Sequence, residues 1–262
     1  MSRLLGHLSL VSAFQRFVRL VRGLGVLPTL VMLLAVLDDR CLRSFDRWYR
    51  VRTSGLIPLA NTSFERARLA DATQYGPVNG WAFRRFLRQL NLPREFHFVD
   101  LGCGLGRACI LAGEYGFRKV TGVELAPELC QVARANLARC RLPSDRLSPV
   151  TILQMDAFDF CENADADVFF MYRPFSGEFL SRILKKLKAR ATSQNRVLTI
   201  IYSERMLVPI SSTKIFAENP AFRRTREAGF LGQAFYVYQC GSPSAGPAAG
   251  LPAAPTAAQS TL

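Results

Sequence analysis

The chain has 262 residues, a formal net charge of +14 and 49% hydrophobic residues. This length suits one domain with tails and is sufficient for a complete hydrophobic core. The positive charge favours anionic partners such as nucleic acid, lipid headgroups or acidic protein, but it does not distinguish among these three classes. The seven cysteines include no C-x-x-C pair, and there are only two histidines. We therefore expect neither a disulfide framework nor a metal site.

The first 52 residues form a basic segment, with nine arginines against three aspartates. Residues 1–37 contain no acidic side chain, and their arginines alternate with apolar residues as in an interfacial amphipathic helix. Residues 23–37 are uncharged, but they are fewer than the roughly 17 residues that a membrane span needs, and Pro28 interrupts them. The pattern predicts membrane contact through residues 1–37. A helical lid packed on the domain and a mitochondrial targeting segment stay open as alternatives.

A strand, a glycine-rich turn and a helix follow one another after residue 95. Phe96–Leu101 predicts a buried strand that contains Asp100, and Arg107–Tyr115 has a helical pattern. The turn between them contains Gly102, Gly104 and Gly106. Glycine permits positive φ and a close approach of ligand to backbone, and a helix N-terminus offers free N–H groups. The order predicts a nucleotide-binding corner of an α/β sheet, although Arg107 occupies the third glycine position of a dinucleotide fingerprint.

The next two apolar runs each end near an acidic residue. Lys119–Leu125 predicts a second strand that reaches Glu124, where nucleotide-binding folds hold ribose hydroxyls with a carboxylate. We expect such a strand-tip acid to be exposed before ligand binds, and a surface glutamate that caps the next helix is the alternative. Val150–Phe160 predicts a third strand that ends at Asp156, with Asp159 as a second candidate acid.

The fourth run, Asp167–Phe175, predicts a central buried strand that opens into an aromatic loop. Arg196–Ser203 predicts a fifth strand, and Thr213–Glu218 and Gln233–Cys240 predict a sixth and a seventh, with the last two antiparallel. Helical patterns are present at Asn79–Leu90, Arg107–Tyr115, Pro127–Arg139 and Glu178–Arg190. Strands that alternate with helices predict an α/β fold with a mostly parallel sheet.

Four segments of the chain occur in the order and spacing of one known family. They are the D-x-G-x-G-x-G segment, Glu124, the Asp156–Ala157 pair and the Tyr172-Arg173-Pro174-Phe175 loop. Over residues 96–175 the chain resembles the class I S-adenosylmethionine-dependent methyltransferases. The resemblance implies a Rossmann-like fold with a seven-stranded, mostly parallel sheet whose last strand is antiparallel. It also implies S-adenosyl-L-methionine as the cofactor.

The resemblance assigns roles to several of these residues. It implies that the loop of Gly102, Gly104 and Gly106 after Asp100 passes under the methionine part of the cofactor and that Glu124 binds the ribose. It also implies that Asp156 accepts a hydrogen bond from the adenine amino group while the N–H of Ala157 contacts the ring.

The loop after the fourth strand is where this family holds the methyl acceptor. Many amine methyltransferases have Asn or Asp there, followed by Pro and an aromatic residue. Arg173 takes the Asn or Asp position, while Pro174 and Phe175 are retained as candidate lining of the substrate pocket. Arginine cannot accept a hydrogen bond, which counts against simple amine methylation, but it can bind a carboxylate or phosphate. Tyr172 and Arg173 are the candidate catalytic residues.

The segments Thr53–Leu59 and Tyr75–Pro77 resemble T-S-G-x-I-P-L and Y-x-P segments of bacterial methyltransferases of unassigned substrate. This makes Tyr75 a candidate for the cofactor pocket, with packing on the sheet rim as the alternative. We expect a segment at 1–52, a methyltransferase domain at 53–240 and a disordered tail at 241–262, which consists mainly of Gly, Ser, Pro and Ala.

The expected function is therefore S-adenosylmethionine-dependent methyl transfer to an unspecified acceptor. A non-catalytic S-adenosylmethionine-binding module and a nucleic-acid methyltransferase are the alternatives. No separate RNA- or DNA-binding module is visible in the sequence, although nucleic acid stays open as a partner. Because the cofactor is made in the cytosol, we expect a cytoplasmic catalytic domain that residues 1–37 bring to a membrane.

Overall fold

The computed structural model describes residues 40–55, 76–142, 147–175, 177–206 and 212–241. They form one seven-stranded sheet with helices on both faces. The strands are β1 His97–Leu101, β2 Lys119–Glu124, β3 Val150–Gln154, β4 Val168–Tyr172, β5 Leu198–Arg205, β6 Phe222–Phe230 and β7 Gln233–Cys240. The helices are α1 at 40–49, α2 Gly80–Leu90, α3 Arg107–Tyr115, α4 Pro127–Arg139, α5 Ala157–Asn163, α6 Gly177–Ser193 and α7 Ser212–Ala217.

The sheet has the strand order β3-β2-β1-β4-β5-β7-β6. The first five strands in this order pair in parallel, and β7 runs antiparallel between β5 and β6. The predicted fold class is confirmed, including the antiparallel last strand. The order of connection reverses between β1 and β4, and in open α/β sheets ligands bind at such a switch point, outside the carboxyl ends of the strands.

Two apolar layers cover the sheet. One layer includes Phe83, Phe98, Phe170 and Phe235 and packs under α2 and α3. The other is centred on Leu184 and the remaining apolar residues of α6. All five residues of β1 are buried, as are the first four of β4. The central strands therefore have apolar residues on both faces, which is why they read as continuous hydrophobic runs.

The predicted sixth strand at Thr213–Glu218 is wrong, because this segment forms α7 and the sixth strand lies at Phe222–Phe230. Phe216 on α7 is buried, and its ring stacks on Tyr238 with the centroids 3.9 Å apart. This packing stabilises a helix in a segment whose β-branched and aromatic residues favoured a strand. The sixth strand of the structure, β6, is an edge strand that contains three arginines. Charge on an edge strand disfavours pairing with other chains. It also interrupts the apolar pattern from which a strand is predicted.

The predicted domain boundary between residues 52 and 53 needs correction, because α1 belongs to the domain. Phe45 and Tyr49 on α1 are fully buried in the layer that includes α2 and α3. The Tyr49 hydroxyl donates a hydrogen bond of 2.6 Å to the Glu114 carboxylate on α3. Charge alone suggested a separate basic segment, but only the exposed face of α1 is basic, and the opposite face forms part of the core.

Several predictions lie outside the described residues and stay predictions. They concern Tyr75, the membrane segment 1–37 and nearly all of the tail 241–262. Across the described parts of the chain, no helix combines the length and the apolar character that crossing a membrane requires.

Candidate functional site

The glycine turn connects β1 to α3 at the carboxyl edge of the sheet. All three of its glycines have positive φ, namely 77° at Gly102, 52° at Gly104 and 83° at Gly106, a region that other residues rarely adopt. The backbone N–H groups of Gly102 and Cys103 donate to the Val123 carbonyl at 2.9 and 3.0 Å, which holds the turn against β2. The turn is therefore held in one conformation by backbone hydrogen bonds and has no Cβ at its glycines.

The turn also contacts the tip of β4. A Cβ added to Gly102 would lie 2.5 Å from the Cβ of Pro174, so the two loops touch across the switch point between β1 and β4. The predicted cofactor loop and the predicted acceptor loop are thus adjacent in space. Phe175 packs edge-on against Phe179 of α6 with the ring centroids 5.0 Å apart, and Tyr172 lies half-buried against the layer under α2.

Glu124 connects the tip of β2 to the glycine turn. One carboxylate oxygen accepts from the Gly104 N–H at 2.9 Å, and the other accepts from Leu125 and Ala126 at 2.9 and 3.0 Å. Glu124 is only 7% exposed, so both the expected exposure and the surface-glutamate alternative are wrong. Burial raises the pKa of this carboxyl, and the three N–H donors act in the opposite direction. A carboxylate offers about four acceptor positions, which leaves capacity for a ribose hydroxyl.

Asp156 caps the helix that follows β3. Its carboxylate accepts from the Phe158 N–H at 2.7 Å, which fixes the first turn of α5 and the buried Ala157 beside it. Asp159 is exposed within the same helix. Asp156 therefore lies at the carboxyl end of β3, two strands from β1. This is the same edge of the sheet as the other proposed cofactor residues. Asp159 lies on the surface of the helix.

Residues 98–191, from β1 to α6, match the family model of a methyltransferase domain. The chain carries a methyltransferase domain. The function of this domain is methyl transfer, and its acceptor is not identified.

Solved structures with a similar fold include the ribosomal protein L11 methylase of Lactobacillus delbrueckii subsp. bulgaricus. It is 14% identical over 64% of this chain and 81% of that chain, with a TM-score of 0.49. The pyocyanin biosynthetic protein PhzM is 16% identical over 61% of this chain and 54% of that chain, with a TM-score of 0.48. A variant of MtNAS in complex with S-adenosylmethionine is 16% identical over 60% of both chains, with a TM-score of 0.45. A search of curated proteins returned no match.

Arg107, the residue after the last glycine of the turn, ties the methyltransferase domain to the chain that precedes it. Its guanidinium is 2% exposed and lies over the Phe45 ring at 4.6 Å. It donates to Asp46 at 3.1 Å, to the hydroxyls of Thr53 and Ser54 at 2.7 and 3.0 Å, and to the carbonyls of Leu42 and Val78 at 3.3 and 3.0 Å. No role was predicted for this arginine from the sequence. Its position directly after the third glycine was the sequence feature that could have indicated one.

Asn136 of α4 fastens the same preceding segment from the other side. Its amide donates to the carbonyls of Arg52 and Leu105 at 3.0 Å each, and its oxygen accepts from the Arg52 N–H at 2.9 Å. Residues 52–54, which begin the T-S-G motif, are therefore held directly against the glycine turn. Among the described residues, no group of His, Cys, Asp or Glu has the arrangement of a metal site.

Asp100 is a buried acidic residue of the methyltransferase site, with 3% exposure. Burial raises its pKa from 3.8 to about 7, the nearby Glu124 charge acts in the same direction, and a hydrogen bond from the Cys109 thiol at 3.6 Å opposes them. The carboxylate therefore changes charge close to neutral pH, two residues before the first glycine of the turn.

We expect the free energy of unfolding to fall by about 4 kcal/mol as the pH rises from 4 to above 7 through ionisation of buried Asp100. The sign follows because the folded-state pKa lies above the unfolded one, so the stabilising form is the protonated one, which is lost as pH rises. Asp100→Asn should remove most of this slope. Urea unfolding at several pH values measures it, and an equal slope in the variant would show that Asp100 is not its source.

Proposed function

We propose that the carboxyl edge of β1, β2 and β3 binds S-adenosyl-L-methionine in an extended arrangement. The glycine turn takes the methionine part, Glu124 takes the ribose, and Asp156 with Ala157 takes the adenine. The observation that supports this most directly is the 2.9 Å hydrogen bond between Gly104 and Glu124, because it joins the acid of β2 to the middle of the glycine turn. The turn and the remaining acceptor capacity of Glu124 fit the methionine and ribose parts of the cofactor.

The acceptor approaches from the tip of β4, beside the glycine turn. When bound, the cofactor supplies a methyl group on a sulfonium, which an acceptor nucleophile attacks in line. Pro174 contacts Gly102 and Phe175 packs against Phe179, so both would line the acceptor site, and Tyr172 with Arg173 would border the acceptor position. Such a reaction gains most from holding the acceptor on the methyl axis, so the rigidity of this loop matters more than strong acid or base chemistry.

Calorimetry tests the cofactor assignment. The purified protein should bind S-adenosylmethionine and S-adenosylhomocysteine and should not bind NAD. Gly104→Val should abolish binding, because a β-branched residue is strained at φ 52° and its side chain would occupy the glycine turn where the cofactor is proposed to lie. Gly232→Val is the control, since Gly232 also has positive φ but lies in the β6–β7 turn with open space around it. NAD binding without binding of either adenosyl ligand would refute the assignment.

Transfer of tritiated methyl groups into a fractionated lysate tests catalysis and acceptor class together. We expect label in one fraction among protein, lipid, nucleic acid and small molecules. Cofactor binding with no labelled fraction would favour the non-catalytic module. Label in nucleic acid, with binding that weakens steeply as salt rises, would favour the nucleic-acid methyltransferase.

We also propose that the N-terminal part of the protein contacts an anionic membrane surface, with the catalytic domain on the cytoplasmic side. The exposed face of α1 supports this, because Trp48 is 53% exposed and Arg43, Arg47 and Arg50 lie exposed around it. The Arg141 guanidinium lies 5.3 Å from the Trp48 ring centroid. An amphipathic aromatic ring surrounded by arginines suits the headgroup region, and this face directly follows the apolar residues 23–37.

Vesicle sedimentation tests the membrane proposal. The full chain should pellet with vesicles of phosphatidylcholine and phosphatidylserine, and less with phosphatidylcholine alone. Trp48→Ala should reduce pelleting, whereas Met206→Ala, which removes another exposed apolar side chain, should not. A chain that begins at Asp38 should stay mostly in the supernatant. If the full chain does not pellet at low salt, the membrane proposal fails, and residues 1–37 would be a lid or a targeting segment.

A further inference from the structure

Glu204 lies near the carboxyl end of β5, next to the acceptor loop. In the register of β4 with β5, Tyr172 pairs with Ser203, so the residues that follow them, Arg173 and Glu204, are neighbours at the same edge of the sheet. Pro174 continues this line to the glycine turn, where it contacts Gly102. Glu204 is therefore one strand beyond the residues that border the proposed methyl position, and no sequence motif marks it.

The Glu204 carboxylate is buried without a full set of partners. The side chain is 8% exposed, and its Oε2 atom is inaccessible to solvent and has no hydrogen-bond partner among the residues that the structure describes. A buried ionised oxygen that lacks a donor is unfavourable, because it has lost its hydration without gaining a replacement hydrogen bond. Such atoms are rare in folded proteins, and a catalytic role or a bound group that supplies the missing donor is one of the explanations for them.

Two neighbours support an ionised Glu204. Burial raises the pKa of Glu204, and the Arg173 charge and a hydrogen bond with Tyr236 on β7 oppose this shift without cancelling it. Glu227 and Arg224 of β6 act on Tyr236 from the far side. Arg173 also has a left-handed backbone with φ 42°, a conformation that non-glycine residues adopt mainly where the surroundings impose it, often at functional sites.

We propose that Glu204 is the acceptor-recognising residue of this methyltransferase and that the acceptor presents an amino group to its Oε2 atom. The arginine at the β4 tip can only donate hydrogen bonds, so the neighbouring carboxylate is the group that can accept one from an N–H. This inference rests on the proposed binding of S-adenosyl-L-methionine at the glycine turn.

The step balances as a nucleophilic displacement. The neutral amine nitrogen uses its lone pair to form the N–CH3 bond, and the C–S bond breaks with its electron pair going to sulfur. The product is a methylated ammonium and a neutral thioether. One ammonium proton then passes to the Glu204 carboxylate and on to water. A carboxylate is too weak a base for an alcohol, whereas it can accept from an amine N–H and orient the lone pair, which favours nitrogen over a hydroxyl.

The test separates cofactor binding from acceptor recognition. Calorimetry with S-adenosylhomocysteine should give equal affinities for the wild type, Glu204→Gln and Glu162→Gln. Glu162 is the matched control because it is an exposed glutamate on α5, paired with Lys186. If the wild type does not bind S-adenosylhomocysteine, it is the proposed function that fails.

The second measurement titrates n-butylamine, with n-butanol as the neutral probe, into protein saturated with S-adenosylhomocysteine. Butylamine should bind the wild type and Glu162→Gln and should bind Glu204→Gln about tenfold more weakly. Butanol should bind none of them measurably. Equal amine binding by Glu204→Gln, or no amine binding by a wild type that binds S-adenosylhomocysteine, overturns the inference.

The pH dependence of amine binding in Tyr236→Phe distinguishes a titrating Glu204 from one with a structural role alone. This variant keeps the carboxylate but removes a hydrogen bond that lowers the Glu204 pKa, so amine binding should begin at a higher pH than in the wild type. An unshifted pH profile overturns the assignment of Glu204 as the titrating group. Label from tritiated S-adenosylmethionine should enter amine-containing fractions, and label confined to phenols or other non-amines also overturns the inference.

Discussion

Replacement of Glu124 with alanine is expected to abolish measurable cofactor binding and to lower the free energy of unfolding by about 3 kcal/mol. The carboxylate accepts three backbone N–H groups, from Gly104, Leu125 and Ala126, and all three lose their acceptor in the variant. The Gly104 bond holds the glycine turn against β2, so the loss affects the shape of the cofactor surface as well as the ribose contact. The expected effect on stability follows from the burial of Glu124, which the sequence did not indicate.

Calorimetry with S-adenosylhomocysteine and urea unfolding measure the two effects of Glu124→Ala separately. Glu124→Gln retains one acceptor oxygen and should be intermediate in both. Glu162→Ala removes an exposed glutamate and should change the free energy of unfolding by less than about 0.5 kcal/mol. Unchanged cofactor affinity in a destabilised Glu124→Ala would place the ribose contact on another residue and leave Glu124 with a structural role alone.

Arg107→Met is expected to lower the free energy of unfolding by about 3–5 kcal/mol. Methionine fills part of the space over the Phe45 ring but supplies none of the hydrogen bonds that the guanidinium makes. Asp46 loses its ion-pair partner, and the carbonyls of Leu42 and Val78 lose a donor. Breaking one side of a buried ion pair destabilises strongly because the other charge stays buried.

The loss of stability in Arg107→Met should be greatest in the segments distant in sequence that Arg107 joins to α3. Hydrogen exchange of the α1 amides should accelerate more than that of β4, because α1 is held by Arg107 while β4 pairs with strands on both sides. Arg224→Met is the control, since its pair with Glu227 is half-exposed and contributes little. Arg107→Met together with Asp46→Asn should be less unstable than the sum of the two single changes. Simple addition would argue against direct coupling.

Hydrophobic periodicity and glycine placement were sufficient to predict most of the sheet and its helices. The predicted α3 and α4 agree with the structure at both ends, because each helix is delimited by local signals: the glycines that flank α3 and the proline at the first position of α4. The glycine turn, Glu124, Asp156 and the Tyr172–Phe175 loop could be placed at strand tips for the same reason. Their chemistry depends on residue type and on distance along the chain, both of which are visible in a sequence.

Tertiary structure decided the features that depend on pairing between distant segments. The role of Glu204 depends on the register that places β5 between β4 and β7, and nothing in its own neighbourhood distinguishes it from a surface glutamate. Arg107 acquires its function from partners that precede it by 29 to 65 residues. The α1 helix reads as basic because five arginines lie within residues 40–52, although its buried face joins the core. Periodicity and turn chemistry are local, so the sequence by itself determined the fold and the edge of the sheet proposed to bind the cofactor. Burial and hydrogen-bond partners are properties of the packed chain, so only the tertiary structure decided which charged side chains are buried and which segments they hold together.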